Sequence, residues 1–208
     1  MPTICPAILA ENSQEYTQQL ANVDFVDRLH IDFMNSTLSD SRSIALTDAS
    51  WGRDKLADLH IMFARPQDST QEIARLRPHL VIIHTESDCD IREFMSEMLA
   101  LGVKVGLAIL PETGVDIIEP YIDELSHVLI FSGHLGHFGG QADLSLLAKV
   151  AEVKSLNPDI EVGWDGGVNA QNITQIAEAG VDVINVGGFI QKAEDSGEAY
   201  ETLAKALD

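Results

Sequence analysis

Ile160-Glu161-Val162-Gly163-Trp164-Asp165-Gly166-Gly167 and Val181-Asp182-Val183-Ile184-Asn185-Val186-Gly187-Gly188 are the two stretches on which the fold of this chain turns. Each is a short run rich in β-branched residues that stops on a glycine pair, the pattern of a buried strand closed by a tight turn. The second strand follows the first by about 20 residues, and a helical apolar period fills 170–179 between them. That is enough chain for a helix to cross between two parallel strands.

Outward from this unit the same beat recurs. Strand candidates lie at 3–9, 25–33, 57–63, 80–84, 103–109, 127–132, 160–164 and 181–186. Amphipathic stretches fall at 13–21, 69–76, 91–101, 143–155, 170–179 and 197–206. Gly102 and Gly180 sit where helix-ending glycines belong, and Asn169 suits an N-cap. Eight such beats in 208 residues predict an α/β chain folded as a (β/α)8 TIM barrel, with residues 1–208 as one domain. A doubly wound open sheet would carry a glycine-rich fingerprint after its first strand, where this chain reads Ala10-Glu11-Asn12-Ser13. Residues 35–55 form the longest stretch of weak periodicity and are expected to make a mobile loop over the site.

Composition excludes several classes of function. There are 33 Asp plus Glu against 13 Lys plus Arg, a net charge of −20, so the basic footprint of a nucleic-acid binder is missing. No apolar run approaches the roughly 20 residues of a membrane span, and the amino terminus lacks the pattern of a secretory signal. Cys5 and Cys89 are the only cysteines, too few for a disulfide framework. A reducing, cytoplasmic setting is the expectation. In so acidic a chain, a bound phosphate depends on backbone amides, helix N-termini and a metal.

The chemistry belongs at the C-terminal strand ends, where barrels of this class place their sites. His30 and Asp32 are two residues apart on one strand and point the same way. His60 ends the third strand and Asp165 follows the seventh. A lone strand-end histidine or aspartate is usually structural; four converging on one mouth form a set of metal ligands. Nitrogen and oxygen donors together suit Zn²⁺, Fe²⁺, Mn²⁺ or Co²⁺ without choosing among them. Gly166-Gly167 and Gly187-Gly188 occupy the loops after strands seven and eight, the common phosphate site of such barrels. His84 and Glu86 are read as pocket lining or structure, His79 and His127 as edge positions, and His134 and His137 as residues of a glycine-rich loop.

These segments resemble the ribulose-phosphate 3-epimerase family. The resemblance is carried by Cys5-Pro6-Ala7-Ile8-Leu9, His30-Ile31-Asp32-Phe33-Met34, Leu59-His60-Ile61-Met62, Leu107-Ala108-Ile109-Leu110-Pro111-Glu112-Thr113, Phe138-Gly139-Gly140-Gln141, Asp165-Gly166-Gly167-Val168 and Val186-Gly187-Gly188. It spans nearly the whole chain in the right order. It implies a barrel of the ribulose-phosphate-binding type, a divalent metal, a phosphorylated ketose and a homo-oligomer. By the same resemblance Asp32 and Asp165 are the acid/base pair, and His30, Asp32, His60 and Asp165 hold the metal. Gly139, Gly140, Gly166, Gly167, Gly187 and Gly188 meet substrate and phosphate, while Met34 and Met62 line the reacting face.

The chain departs from the family pattern in identifiable places. Ala7 stands where the family has a serine, Phe131 takes the place of a third methionine, and Gly188 replaces a common serine. Asn35-Ser36-Thr37-Leu38-Ser39-Asp40 rewrites the loop after strand two. The expected activity is epimerisation at C3 of a ketose phosphate, either D-ribulose 5-phosphate/D-xylulose 5-phosphate or a related sugar. The competing expectation is a paralogue that binds a phosphorylated metabolite without turnover. A lyase or decarboxylase on the same barrel would need a lysine two residues after the aspartate, where Asp32-Phe33-Met34 has methionine.

Overall fold

In the computed structural model, which describes residues 1–137 and 140–207, the strands are buried along almost their whole length, on both faces. Parallel strands can satisfy that pattern on both faces at once by closing into a ring with helices outside. They do so here: β1 (Thr3–Ile8), β2 (Arg28–Met34), β3 (Leu56–Met62), β4 (Leu80–His84), β5 (Lys104–Ile109), β6 (His127–Phe131), β7 (Glu161–Asp165) and β8 (Val183–Val186) pair in sequence order as a closed barrel. Every pairing is parallel, and β1 seals against β8 through Thr3–Val183 to Pro6–Val186.

The outward side chains, among them Ile31, Phe33, Leu59, Ile61, Val162 and Trp164, form the main core against the helices. Inside the ring a second, smaller apolar group of Leu80, Ile82, Ala108 and Leu129 fills the space beneath one half of the mouth. The other half of the interior is polar and built from residues of β2, β3, β6 and β7, described below with its ion pairs.

The helices are α1 (Ser13–Asn22), α2 (Thr70–Leu76), α3 (Ile91–Ala100), α4 (Ala148–Leu156), α5 (Ile173–Glu178), α6 (Gly188–Gln191) and α7 (Ser196–Lys205). Asn12, Asp90 and Asp195 cap α1, α3 and α7 by accepting a backbone N–H. Gly102 and Gly180 take positive φ after their helices, as their positions predict.

Boundaries depart from the sequence pattern where local chemistry intervenes. β2 starts at Arg28 rather than Phe25, because Val26 still bonds back to Val23 in the turn after α1. Phe25 is exposed and meets Tyr200 edge to face. The amphipathic stretch 143–155 opens as a 3-10 turn, Leu144–Leu147, before becoming α4. Asn169 accepts from the Gln171 N–H in a turn one step ahead of α5, and Asn172 takes the N-cap position. The connections after β2 and β5 carry only 3-10 turns, Leu46–Asp48 and Val115–Tyr121; Pro120 inside the latter removes a donor that an α-helix needs. Among the described residues no helix is long and apolar enough to cross a membrane.

Candidate active site

Strand register builds the site. β2 and β3 pair Asp32 with His60, and the two-residue alternation aims His30, Asp32 and His60 at the ring interior. β7 ends on Asp165, in register with Phe131 of β6 and Asn185 of β8. One donor atom from each of His30, Asp32, His60 and Asp165 lies within 4.8 Å of all the others. His60 Nδ1 is 2.9 Å from Asp32 Oδ1, and His30 Nε2 is 3.2 Å from the same oxygen. The two imidazole nitrogens are 3.3 Å apart, and each is 3.8 Å from Asp165 Oδ2. Both histidines are fully buried.

Two facing nitrogens and two carboxylates converge on one point, with no Lys or Arg of the described residues paired to either carboxylate. The residues therefore fit a divalent cation with mixed nitrogen and oxygen preference. The electrostatics pull the two carboxylates apart. Burial works against the Asp32 anion, yet His30 and His60 outweigh it and hold its carboxyl well below the usual range. Asp165 is pushed up to about 6, first by burial and then by the nearby Asp32 charge. One anionic and one readily protonated carboxylate is the pairing expected of an acid/base couple. Burial disfavours the charged form of His30, but the Asp32 charge and hydrogen bond dominate and raise its pKa.

Behind His60 runs a buried chain that strand-end patterns alone did not reveal. His60 Nε2 lies 2.8 Å from His84 Nε2, and His84 Nδ1 lies 3.3 Å from Glu86 Oε2. Glu86 Oε1 accepts from the Leu110 N–H and the Thr113 hydroxyl. Lys149 Nζ then donates to the carbonyls of Leu110, Pro111 and Thr113. When His60 offers Nδ1 to a metal, its proton sits on Nε2 and points to His84, whose own proton then faces Glu86. Burial drives the His84 pKa down to about 4, so the ring is neutral and can accept. His84 and Glu86 thus fix which nitrogen of His60 faces the quartet.

Above the quartet opens a cavity of about 240 Å³. Asp32, Met62, Phe131 and Asp165 line its reacting end, and Gly166, Gly167, Gly187, Gly188 and Lys192 its far side. Gly140, His134 and His137 contribute from the loop after β6; Gly139 lies outside the described residues. Met34 is buried beside that loop, its sulfur where a side chain on Gly136 would otherwise sit. Gly166 and Gly167 have φ of +118° and +69°, and a Cβ on either would collide with the backbone of Gly133 or Ala142. Only glycine lets the loops after β6 and β7 interlock there. His127 and His79 lie away from the quartet: His127 Nδ1 bonds Glu161 at the opposite end of the barrel, and burial lowers the pKa of His79.

Residues 35–55 divide in two. Asn35 bridges to Arg42 in a turn at the mouth, with Ser41 against Gly136 and the Thr37 hydroxyl accepting from the Ala64 N–H. From Ile44 onward the segment packs into the outer core, through Ile44, Leu46 and Ala49.

Comparison with known proteins agrees with this geometry. The sequence profile of the Ribulose-phosphate 3 epimerase family matches residues 3–191. The ribulose-phosphate 3-epimerase of Mycobacterium leprae is 32% identical, over 98% of this chain and 94% of that protein. The enzyme of the same name from Helicobacter pylori is 29% identical, over 96% and 95%. Among solved structures, a 3-hexulose-6-phosphate synthase superposes with a TM-score of 0.75 at 18% identity, covering 99% of this chain and 100% of that one, a likeness of fold alone. On the profile match and the full-length relatives, the chain belongs to the ribulose-phosphate 3-epimerase family of isomerases.

Proposed function

We propose that this protein inverts C3 of a ketose phosphate, with D-ribulose 5-phosphate and D-xylulose 5-phosphate as the first pair to test and a hexulose 6-phosphate as the variant. The observation that carries this reading is the pair of carboxylates, Asp32 and Asp165, set among two histidines with their proton affinities driven in opposite directions. His30, Asp32, His60 and Asp165 would hold a Zn²⁺, Fe²⁺, Mn²⁺ or Co²⁺ ion. When bound, that ion would supply Lewis-acid stabilisation of negative charge on the substrate oxygens.

The remaining chemistry falls to the chain. One carboxylate removes the C3 proton, whose acidity comes from the adjacent C2 ketone, and an enediolate forms. The other carboxylate, protonated, returns a proton to C3 from the opposite face, and the ketone is restored with the hydroxyl inverted. The two aspartates exchange roles in the reverse direction. Phe131 and Met62 limit water at the reacting carbon, which protects the enediolate from side reactions. Gly166, Gly167, Gly187 and Gly188 allow close backbone approach to the phosphate, and Lys192 adds a positive charge on that side of the cavity.

The same reading takes residues 1–208 as one barrel domain and the working form as a homo-oligomer, to be checked by sedimentation. Binding without turnover is the weaker reading, because Ala7 removes one polar contact while the whole His/Asp quartet is present. The decisive measurement is proton exchange at C3 in deuterated water by metal-loaded protein. Incorporation of deuterium with appearance of the epimer supports the proposal; no exchange with any pentulose or hexulose phosphate sinks it.

A further inference from the structure

Asn185 is a polar side chain in the middle of an apolar strand. Its neighbours Ile184 and Val186 turn outward into the main core, so Asn185 faces the barrel interior. It is 2% exposed, and neither its Nδ2 nor its Oδ1 has a hydrogen-bond partner among the described residues. A buried amide left unpaired is costly, and a valine would fill the space without that cost. The amide nevertheless lines the cavity above the quartet, in register with Asp165 on one side and two residues before Gly187 along its own strand. A donor and an acceptor are therefore held ready, at the level of the acid/base pair and below the glycines.

We propose that Asn185 is a specificity-determining residue that hydrogen-bonds the substrate hydroxyl on C4. This rests on the epimerase reading given above, which places C2 and C3 at the quartet and the phosphate at Gly166-Gly167 and Gly187-Gly188. The carbon that bridges these two ends next to C3 is C4, and Asn185 sits between the residues assigned to them. A carboxamide suits a hydroxyl because it can donate from Nδ2 or accept at Oδ1. A site built around such a hydrogen bond rejects the deoxy analogue strongly, because the amide is then buried again without a partner.

The test compares D-ribulose 5-phosphate with its 4-deoxy analogue, using metal-loaded wild type, Asn185→Val and Asn185→Ala. Wild type is expected to prefer the parent by on the order of 10³ in kcat/KM, and both variants to lose most of that preference, to about tenfold or less. Equal loss on both substrates in the variants would overturn the proposal and mark Asn185 as structural. So would a wild type that does not distinguish the two substrates, a result that needs no variant to fold. Calorimetric binding of D-ribitol 5-phosphate and 4-deoxy-D-ribitol 5-phosphate separates this inference from the epimerase reading. If wild type exchanges no C3 proton yet binds the parent polyol far better, with the difference lost in Asn185→Val, the contact stands and the reaction assignment fails. If it binds both polyols alike, the contact fails whatever the reaction.

Discussion

The two ends of the barrel are built from the same strands and carry opposite solutions to buried charge. β2 supplies Arg28 to the floor and His30 and Asp32 to the mouth; β3 supplies Asp58 and His60; β7 supplies Glu161 and Asp165. On the floor, Arg28 donates to Asp58 at 2.7 Å and in a two-pronged contact to Glu161 at 2.9 and 2.7 Å, while His127 Nδ1 adds a 2.8 Å bond to Glu161. A guanidinium at the centre closes that cluster from within. At the mouth two carboxylates meet two histidines, and no Lys or Arg of the described residues closes the set. A charge cluster with its own guanidinium at the centre holds the fold together, and one that needs a cation from outside is available for chemistry.

The sharpest way to break this contrast is to neutralise one carboxylate at each end. Asp32→Asn or Asp165→Asn is expected to slow C3 exchange by about 10³-fold or more, and Asp165→Asn, which removes a carboxyl whose anion burial disfavours, to do so without lowering the melting temperature of the metal-free protein. Exchange retained in either variant would remove that residue from the acid/base pair. Metal removal comes next. Chelation should abolish exchange and lower the wild-type melting temperature, with a stability difference of about 2.7 kcal/mol when free metal is 100-fold above its Kd. His60→Ala should lose the metal-dependent shift, whereas Glu161→Gln should keep it. A shift that survives in His60→Ala would place the ion elsewhere.

Smaller effects sharpen the comparison. Replacing His84 by Phe breaks the chain that orients His60 and should weaken metal affinity by about 10- to 100-fold, measured by competition with a coloured chelator. Unaltered affinity would reduce His84 to lining. On the floor, burial disfavours the Glu161 anion, but hydrogen bonds from Arg28 and His127 prevail and hold its carboxyl well below the usual glutamate value of 4.5. Its contribution to stability is therefore present above that value and is lost as pH falls through the lower folded pKa. Glu161→Gln should cost about 2 kcal/mol at pH 7, modest for an ion pair because the carboxylate is 34% exposed. The gap to wild type should begin to narrow below pH 4.5 and shrink steadily as the pH falls toward the folded pKa, as followed by denaturant melts. A gap that persists in acid would mean that shape, not charge, is what Glu161 provides.

The barrel was legible because short apolar, β-branched runs recur between helical periods and two of them end on glycine pairs, signals that closure only reinforces. The quartet was legible too: His30 and Asp32 declare their common face by spacing alone. His84 was harder. A strand-end histidine looks the same whether it faces solvent or another imidazole, and it is the pairing of His60 with Ile82 that brings His84 alongside. Asn185 was hidden inside an apolar run whose composition promised only packing. Lys192 carried no signal, because the helical pattern leaves 187–196 blank; the short α6 brings it to the cavity. The short 3-10 connections were invisible to a search for helical period, since seven residues or fewer cannot establish one.

The even-numbered residues of β2, Arg28, His30, Asp32 and Met34, all face one way, and the register with β3 runs unbroken from Arg28–Leu56 to Met34–Met62. Floor and mouth therefore share one reading frame along the strand. Deleting or inserting a single residue between 28 and 34 would turn the guanidinium and both ligands outward together and bring Leu29, Ile31 and Phe33 into the ring. The turn at 35–42, bridged from Asn35 to Arg42, lies beyond that strand frame, and a change in its length turns no strand side chain around. Over evolutionary time such a scaffold would tolerate gaps in its loops and almost none in its strands.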